Sequence, residues 1–226
     1  MSEQLYLARK TIIEMLEDRG YKNKFIKNYA YSIFNEMYKS FTNYSGVFDL
    51  EASNNESHKT IVKFIKTINS KSPNDMGIRD PSQSTAAKKE ILDIYSFIKD
   101  TFLLKKGDTV IFIICYGDGL HDVHKNLDKR DEDLQIFHMN RLISNITRHV
   151  LVPKHELLNK DEKLEIKKEF KLPSLDKLPH ILDTDPIAKY YNMRHGDVCK
   201  IYRPSKNAGL HICYRYCHED YSSDIF

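Results

Sequence analysis

Apolar positions recur at three- and four-residue steps in LYLARKTIIEMLEDR, where Leu5, Ala8, Ile12, Met15 and Leu16 fall on one face and Gly20 stands at a helix C′ position. The spacing predicts an amphipathic helix over 5–19. A second helix is predicted over 24–41, its stripe of Phe25, Tyr29, Ile33, Phe34, Met37 and Phe41 reading as core. From Thr42 to His58 the chain is polar and rich in Asn and Ser, a loop composition, while KTIVKFIKTI at 59–68 fits either a strand or a helix. Residues 70–85 carry breakers and end in Ser and Thr, which can cap a helix from Ala86 to Leu103. That helix is spaced by Ile91, Tyr95 and Ile98, with Lys88, Lys89 and Lys99 outward. TVIFIICY at 109–116 is a continuous β-branched run, the pattern of a strand buried on both faces. Helices around such a strand predict an α/β first half.

From about residue 145 the pattern changes to short, punctuated elements. HVLVP at 149–153 reads as a strand closed by Pro153, and Asn159 with Glu162 three residues on has capping-box spacing. LPHIL reads as an edge strand entered through Pro179. Asp185 is placed as an N-cap and Pro186 at the first helical position, opening a short helix over 187–191 that Asn192 ends. After a His195-Gly196 turn, DVCKIYR reads as a strand stopped by Pro204. The loop SKNAG, closing on Gly209, then leads to LHICYRYC as its hairpin partner. The fold class predicted is α/β or α+β: an N-terminal α/β domain over 1–144, a small mixed α+β module over 145–217 with a terminal β-hairpin, and a tail over 218–226.

Charge and composition narrow the function. With 226 residues, 41% hydrophobic and 30% charged, the chain can bury its own core. A formal net charge of +3 is too small for a free-standing nucleic-acid binder, so any DNA contact belongs to a larger assembly. Four cysteines, Cys115, Cys199, Cys213 and Cys217, show no regular disulfide spacing and fit a reducing compartment. No run of about 18 apolar residues marks a membrane span, and MSEQLYLARK lacks the layout of a signal peptide, which together predict an intracellular protein without a membrane partner. His211, Cys213, Cys217 and His218 lack the paired knuckles of a structural zinc site. His121-x-x-His124 lacks the Glu and the i,i+4 partner of a hydrolytic motif. No catalytic set, metal or cofactor is predicted.

The run from Asn145 to Cys217 carries a more specific set, in order: His149, Val152 to His155, Asp185 to Ala188, Tyr190, Gly196, Lys200, Arg203, Ser205, Gly209, Tyr214 and Arg215. With these residues the chain resembles the fifth common subunit of eukaryotic DNA-dependent RNA polymerases and its archaeal counterpart, which consists of the C-terminal module alone. A thinner likeness lies in ARKTIIEMLEDRGY, similar to the first helix of the eukaryotic-type subunit. The resemblance implies an N-terminal jaw beside DNA entering the polymerase and a C-terminal assembly module that docks on the largest subunit and neighbouring small subunits. General transcription factors are further partners that it allows. His149, Pro153, His155, Tyr190, Arg194, Lys200, Arg203, Ser205, Tyr214 and Arg215 are the implied docking residues, while Asn159, Asp185, Pro186, Gly196 and Gly209 build caps and turns.

In the jaw, GDGLHDVHK after the 109–116 strand offers His121, His124 and Lys125 to a DNA backbone, with Asp118 and Asp122 opposing. The family's jaw has been compared with restriction-type nucleases, but the Glu165-Ile166-Lys167 match lies on the module helix, so cleavage is not expected. The tail HEDYSSDIF runs past the usual family end and reads as disordered, with an added contact as the alternative. A stand-alone transcription adaptor or regulator using the same module is the alternative function. Abundant Lys, Asn, Ile and Tyr without Trp suggest an A/T-rich genome. A cellular owner would place the chain in the nucleus, a cytoplasmic large DNA virus in host cytoplasm and virion.

Overall fold

The computed structural model describes residues 2–21, 29–42, 46–54, 58–67, 81–105, 107–116, 134–205, 207 and 209–219. The chain divides into two compact units, Met1–Ser144 and Asn145–Phe226.

In the first unit, helix α1 (Ser2–Asp18) buries the predicted Leu5, Ala8, Ile12, Met15 and Leu16, and with them Ile13 and Arg9. Helix α2 spans Tyr31–Lys39, so residues 29–30 and 40–41 of the predicted span fall outside it, while its first part, 24–28 with Phe25, lies outside the described residues. Phe34 and Phe41 are buried, but Ile33 is 54% exposed. The aromatic residues order the packing here: Phe34 stacks on Phe48 with centroids 4.3 Å apart, and Phe41 meets Phe48 edge-on at 5.1 Å.

The region read as a loop contains strand β1 (Leu50–Ser53), whose buried Leu50 and Ala52 alternate with exposed Glu51 and Ser53. Four residues are too few for a period-2 signal to stand out from polar surroundings. The ambiguous run is strand β2 (Lys59–Thr67). Helix α3 begins at Pro81 and runs to Phe102, so it starts inside the predicted 70–85 loop, with proline in its first turn. Strand β3 (Thr109–Tyr116) has Val110 to Ile114 fully buried, the two-faced burial its apolar run predicts. A strand the sequence did not disclose, β4 (Leu134–His138), completes the sheet in the order β1-β2-β3-β4. β1 runs antiparallel to β2, while β2, β3 and β4 are mutually parallel. Ile91, Tyr95 and Ile98 of α3 pack on one sheet face against Ile61, Ile65, Val110, Phe112 and Ile114.

The second unit is a four-stranded sheet in the order β5-β7-β8-β6. Its elements are β5 (Lys154–Leu157), helix α4 (Lys160–Glu169), β6 (His180–Leu182), helix α5 (Pro186–Tyr190), β7 (Val198–Ser205) and β8 (Gly209–His218). β7 pairs antiparallel with both β5 and β8, and β6 lies parallel to β8 at the sheet edge, where Pro179 precedes it.

Two sequence expectations fail in this unit. HVLVP is a turn, with Val150 97% and Leu151 84% exposed. Asn145 accepts from the Thr147 N–H at 3.0 Å and Val152 N–H reaches the His149 carbonyl at 2.9 Å, so local bonds hold the backbone here and the strand starts only after Pro153. Pro204 does not stop β7; it lies opposite Leu210, and the strand runs to Ser205 opposite Gly209. A proline is tolerated where no ladder N–H is required of it.

Candidate functional site

The caps behave as the sequence indicates. Asn159 Oδ1 accepts from Asp161 N and Glu162 N, both at 2.9 Å, while Asn159 N donates to Glu162 Oε2 at 2.7 Å, closing a capping box on α4. Asp185 Oδ1 accepts from Ile187 N at 2.8 Å with Pro186 at the first position of α5. Asp197 ties the following turn twice, accepting from Arg194 N at 2.8 Å and pairing with Lys163 Nζ at 2.8 Å. Gly196 and Gly209 have φ of +93° and +67°, values at which a side chain is strained, so both turns depend on glycine.

These turns aim the hairpin β7–β8, whose alternation gives it two chemically distinct faces. On one, Cys199 and Ile201 are covered by Ala188 and Met193 from the α5 segment, together with Cys217 and Ile181. Continuing along that face, the register pairs Arg203 with His211 and Cys199 with Arg215, and sets His155 opposite Ile201. On the other face, Val198 packs with Leu158 and Ile166, and Tyr214 and Tyr216 lie against them. Lys200 and Tyr202 continue this second face, opposite Glu156 and Lys154 of β5.

The predicted docking residues therefore separate. His155, Arg203 and Arg215 share the first face; Lys200 and Tyr214 share the second. His149 is exposed in the turn before β5, where its Nδ1 accepts from Leu151 N at 3.2 Å. His155 Nδ1 donates to the Pro153 carbonyl at 2.7 Å, and burial holds its pKa below the ordinary histidine value against that bond. Arg215 is half-buried and donates from Nη1 to the His180 carbonyl at 2.9 Å, securing the edge strand. Arg194 is half-buried in the Asp197 turn and Ser205 closes the β7 end of the hairpin. Tyr190 is corrected: at 5% exposure it belongs to the core, its hydroxyl accepting from Asn145 Nδ2 at 3.2 Å. An Asp-Pro-x-Ala helix of five residues must bury one side, and Tyr190 lies on that side with Ile187 and Ala188.

Sequence reasoning missed the network on the second face. Glu156 accepts from Lys154 and, at 2.5 Å, from Tyr202 Oη, and these bonds hold its carboxyl below the ordinary range. Lys154 and Lys200 lie 5.5 Å and 5.2 Å from the Tyr202 ring centroid. Their pKa values are raised, by the bond to Glu156 in the first case and by one to Tyr202 in the second. Only the strand register brings these four together. A second missed group is His180, stacked on His218 at 5.1 Å, with His195 5.4 Å from His218 and its Nε2 3.4 Å from Tyr216 Oη.

Burial pushes the thiols up, to about 11 at Cys199 and about 12 at Cys217 and Cys115. Of the weighed zinc candidates, His211, Cys213 and Cys217 fall on one face of β8 and His218 on the other. Among the described residues no three His, Cys, Asp or Glu side chains converge to hold a metal. His121, His124 and Lys125 lie outside the described residues, as does the tail beyond Glu219.

The second unit is thus of the α+β class, a small module whose described residues assemble caps, turns and a two-faced hairpin. Residues 144–217 match the family of the RNA polymerase Rpb5 C-terminal domain. Over 84 residues the chain is 49% identical to a Dictyostelium discoideum protein named DNA-directed RNA polymerases I, II, and III subunit rpabc1, covering 37% of this chain and 42% of that one. Over 82 residues it is 44% identical to the proteins named DNA-directed RNA polymerases I, II, and III subunit RPABC1 in Caenorhabditis elegans and Caenorhabditis briggsae, covering 36% of this chain and 38% of each. The aligned stretch spans about two fifths of the length of these relatives. The family the motifs resemble, the fifth common subunit of eukaryotic-type RNA polymerases, is the one these matches support.

Proposed function

We propose that this chain is a non-catalytic subunit of a multisubunit DNA-directed RNA polymerase. In this reading the second unit docks on the largest subunit and its small neighbours, and the first unit forms part of the lower jaw beside downstream DNA. The observation that carries it is the coincidence of two boundaries: the Rpb5 C-terminal match covers residues 144–217, and the second compact unit spans 145–226. His149, Pro153, His155, Arg194, Lys200, Arg203, Ser205, Tyr214 and Arg215 form the docking set, with Tyr190 positioning α5 from beneath. Arg and Tyr are residues that interfaces favour, and several of these are half-buried before any partner arrives. General transcription factors approach the same assembly. In a cellular owner the place of work is the nucleus.

Co-purification tests the proposal: the tagged full chain brings down transcribing polymerase at one copy per complex. A pool of chain wholly free of polymerase overturns it and favours the stand-alone adaptor. For the jaw, His121, His124 and Lys125 are proposed backbone contacts. Lys125→Ala in the assembled polymerase lowers the salt slope of downstream-DNA binding by up to about one unit for any DNA sequence. An unchanged slope rejects this contact and moves attention to Lys88, Lys89 and Lys99.

A further inference from the structure

The hairpin changes character along its length. Its inner half is sandwiched, with Cys199 and Ile201 under the α5 segment and Val198 against α4. From Arg203 outwards through the turn and back to Ile212, no described residue is buried. A two-stranded ribbon without a core on either face is marginal in water, so this outer half is held mainly through the ladder it shares with the inner half.

Its charge is also one-sided. Between Val198 and His218 the sequence holds Lys200, Arg203, Lys206 and Arg215 and no Asp or Glu. The nearby carboxylate on the neighbouring strand, Glu156, is already engaged by Lys154 and Tyr202. The outer ribbon further sorts its residues by face. Arg203 and His211 are a cross-strand pair on one side. On the other, Leu210 is 53% and Ile212 40% exposed, with Pro204 directly opposite Leu210.

We propose that the outer half of the hairpin inserts into a cleft of a partner protein that has an acidic wall and an apolar wall. Carboxylates on the acidic wall meet the Arg203–His211 pair, whose two strands carry no Asp or Glu, and the apolar wall covers Leu210 and Ile212. Guanidinium recognises carboxylate in a bidentate fork and is weakly hydrated, which suits a pair removed from water. The apolar face argues against a nucleic-acid strand as occupant. Stacking on bases needs an open aromatic ring, and Tyr202, opposite Ile212, already lies against Lys154 and Lys200 with its hydroxyl on Glu156, while phosphates on the cationic side would leave Leu210 and Ile212 wet. This inference rests on the reading of the second unit as a docking module and adds the chemistry and geometry of what it docks into.

The test uses the tagged full chain expressed in cells, with co-purifying polymerase as the readout. Three variants are compared with wild type: Arg203→Glu with His211→Glu, Leu210→Ser with Ile212→Ser, and Lys168→Glu on the exposed side of α4 as a control. Each hairpin pair reduces recovered polymerase about tenfold or more, as loss of a central interface contact does, while the control recovers wild-type amounts and the melting curves superimpose. Recovery at the wild-type level by either hairpin pair overturns the proposal. So does a variant that keeps polymerase but loses binding to a DNA duplex. If a double variant fails to melt cooperatively, the single exposed substitutions Arg203→Gln and Leu210→Ser decide by the same readout. Wild-type chain that recovers no polymerase removes the functional reading itself, whereas wild-type recovery with indifferent hairpin variants removes only this inference.

Discussion

Replacing Asp185 by Ala removes the carboxylate that accepts from the Ile187 N–H at 2.8 Å in the first turn of α5. The helix is only five residues long, so this bond satisfies one of few free donors at its start. Loss of such a cap costs about 0.5–2 kcal/mol, and removing a negative charge from a helix N-terminus adds about 0.3–1 kcal/mol at low salt. Ile187 is buried, so water cannot fully replace the lost acceptor, which places the expected cost near the middle of the first range, about 1–1.5 kcal/mol. Ile187, Ala188 and Tyr190 remain packed, so α5 loosens without detaching. Native-state hydrogen exchange on the full chain reads this directly: the amides of 187–191 exchange about five- to thirteen-fold faster, matching that free energy. Asp185→Asn, which keeps an acceptor, recovers most of the protection. Unchanged exchange together with lost polymerase binding would refute the reasoning and make Asp185 a direct contact.

Tyr190→Phe removes the hydroxyl that receives the Asn145 amide at 3.2 Å and destabilises the second unit by about 0.5–1.5 kcal/mol in urea titration, with the docking surface unaltered. Gly107→Ala forces a side chain onto a backbone at φ +97° and brings its Cβ within 2.7 Å of His58 Cε1, so the first unit loses about 1–3 kcal/mol. Adding His58→Ala returns the part due to the clash and leaves the backbone strain. Native Cys115, Cys199 and Cys217 resist alkylation at pH 8, while half-buried Cys213 reacts first, as a timed thiol assay with mass spectrometry will show. Because folding raises those three thiols, stability is unaffected by them below the unfolded thiol value of about 8.5 and falls above it, as the unfolded chain ionises first. That loss continues until the folded thiols ionise, at about 11 for Cys199 and about 12 for the other two.

What could be read from sequence was local. Asn159, Asp185, Pro186 and Gly196 announce themselves because caps and turns are decided by neighbours within three residues. The 109–116 strand was legible because its burial on both sides leaves an uninterrupted apolar run. HVLVP misled because its apolar residues are on display, a choice no periodicity can reveal. β1 and β4 were invisible, being short and defined by strands with which they pair. The resemblance proposes a docking set, but not the division of its residues between two faces. Arg203 and Lys200 differ by an odd number of positions, and only the observed register shows what each side is built from.

The strand order also bears on how the second unit comes into being. The last strands made, β7 and β8, occupy the centre of the sheet, while β5 and β6, made earlier, are its margins. During synthesis β5, α4, β6 and α5 leave the ribosome with no strand to lie against, and β6 must wait for the far end of β8, where His218 meets Leu182. At about 5–20 residues per second the nascent module spends several seconds with Leu158, Ile166, Ile181 and Ile187 uncovered. Once β8 clears the exit tunnel, the hairpin closes locally and both margins zip onto it in one step. A ribosome stalled before residue 210 therefore holds a first unit free to fold and a second that cannot, a length threshold visible by protease protection of arrested chains.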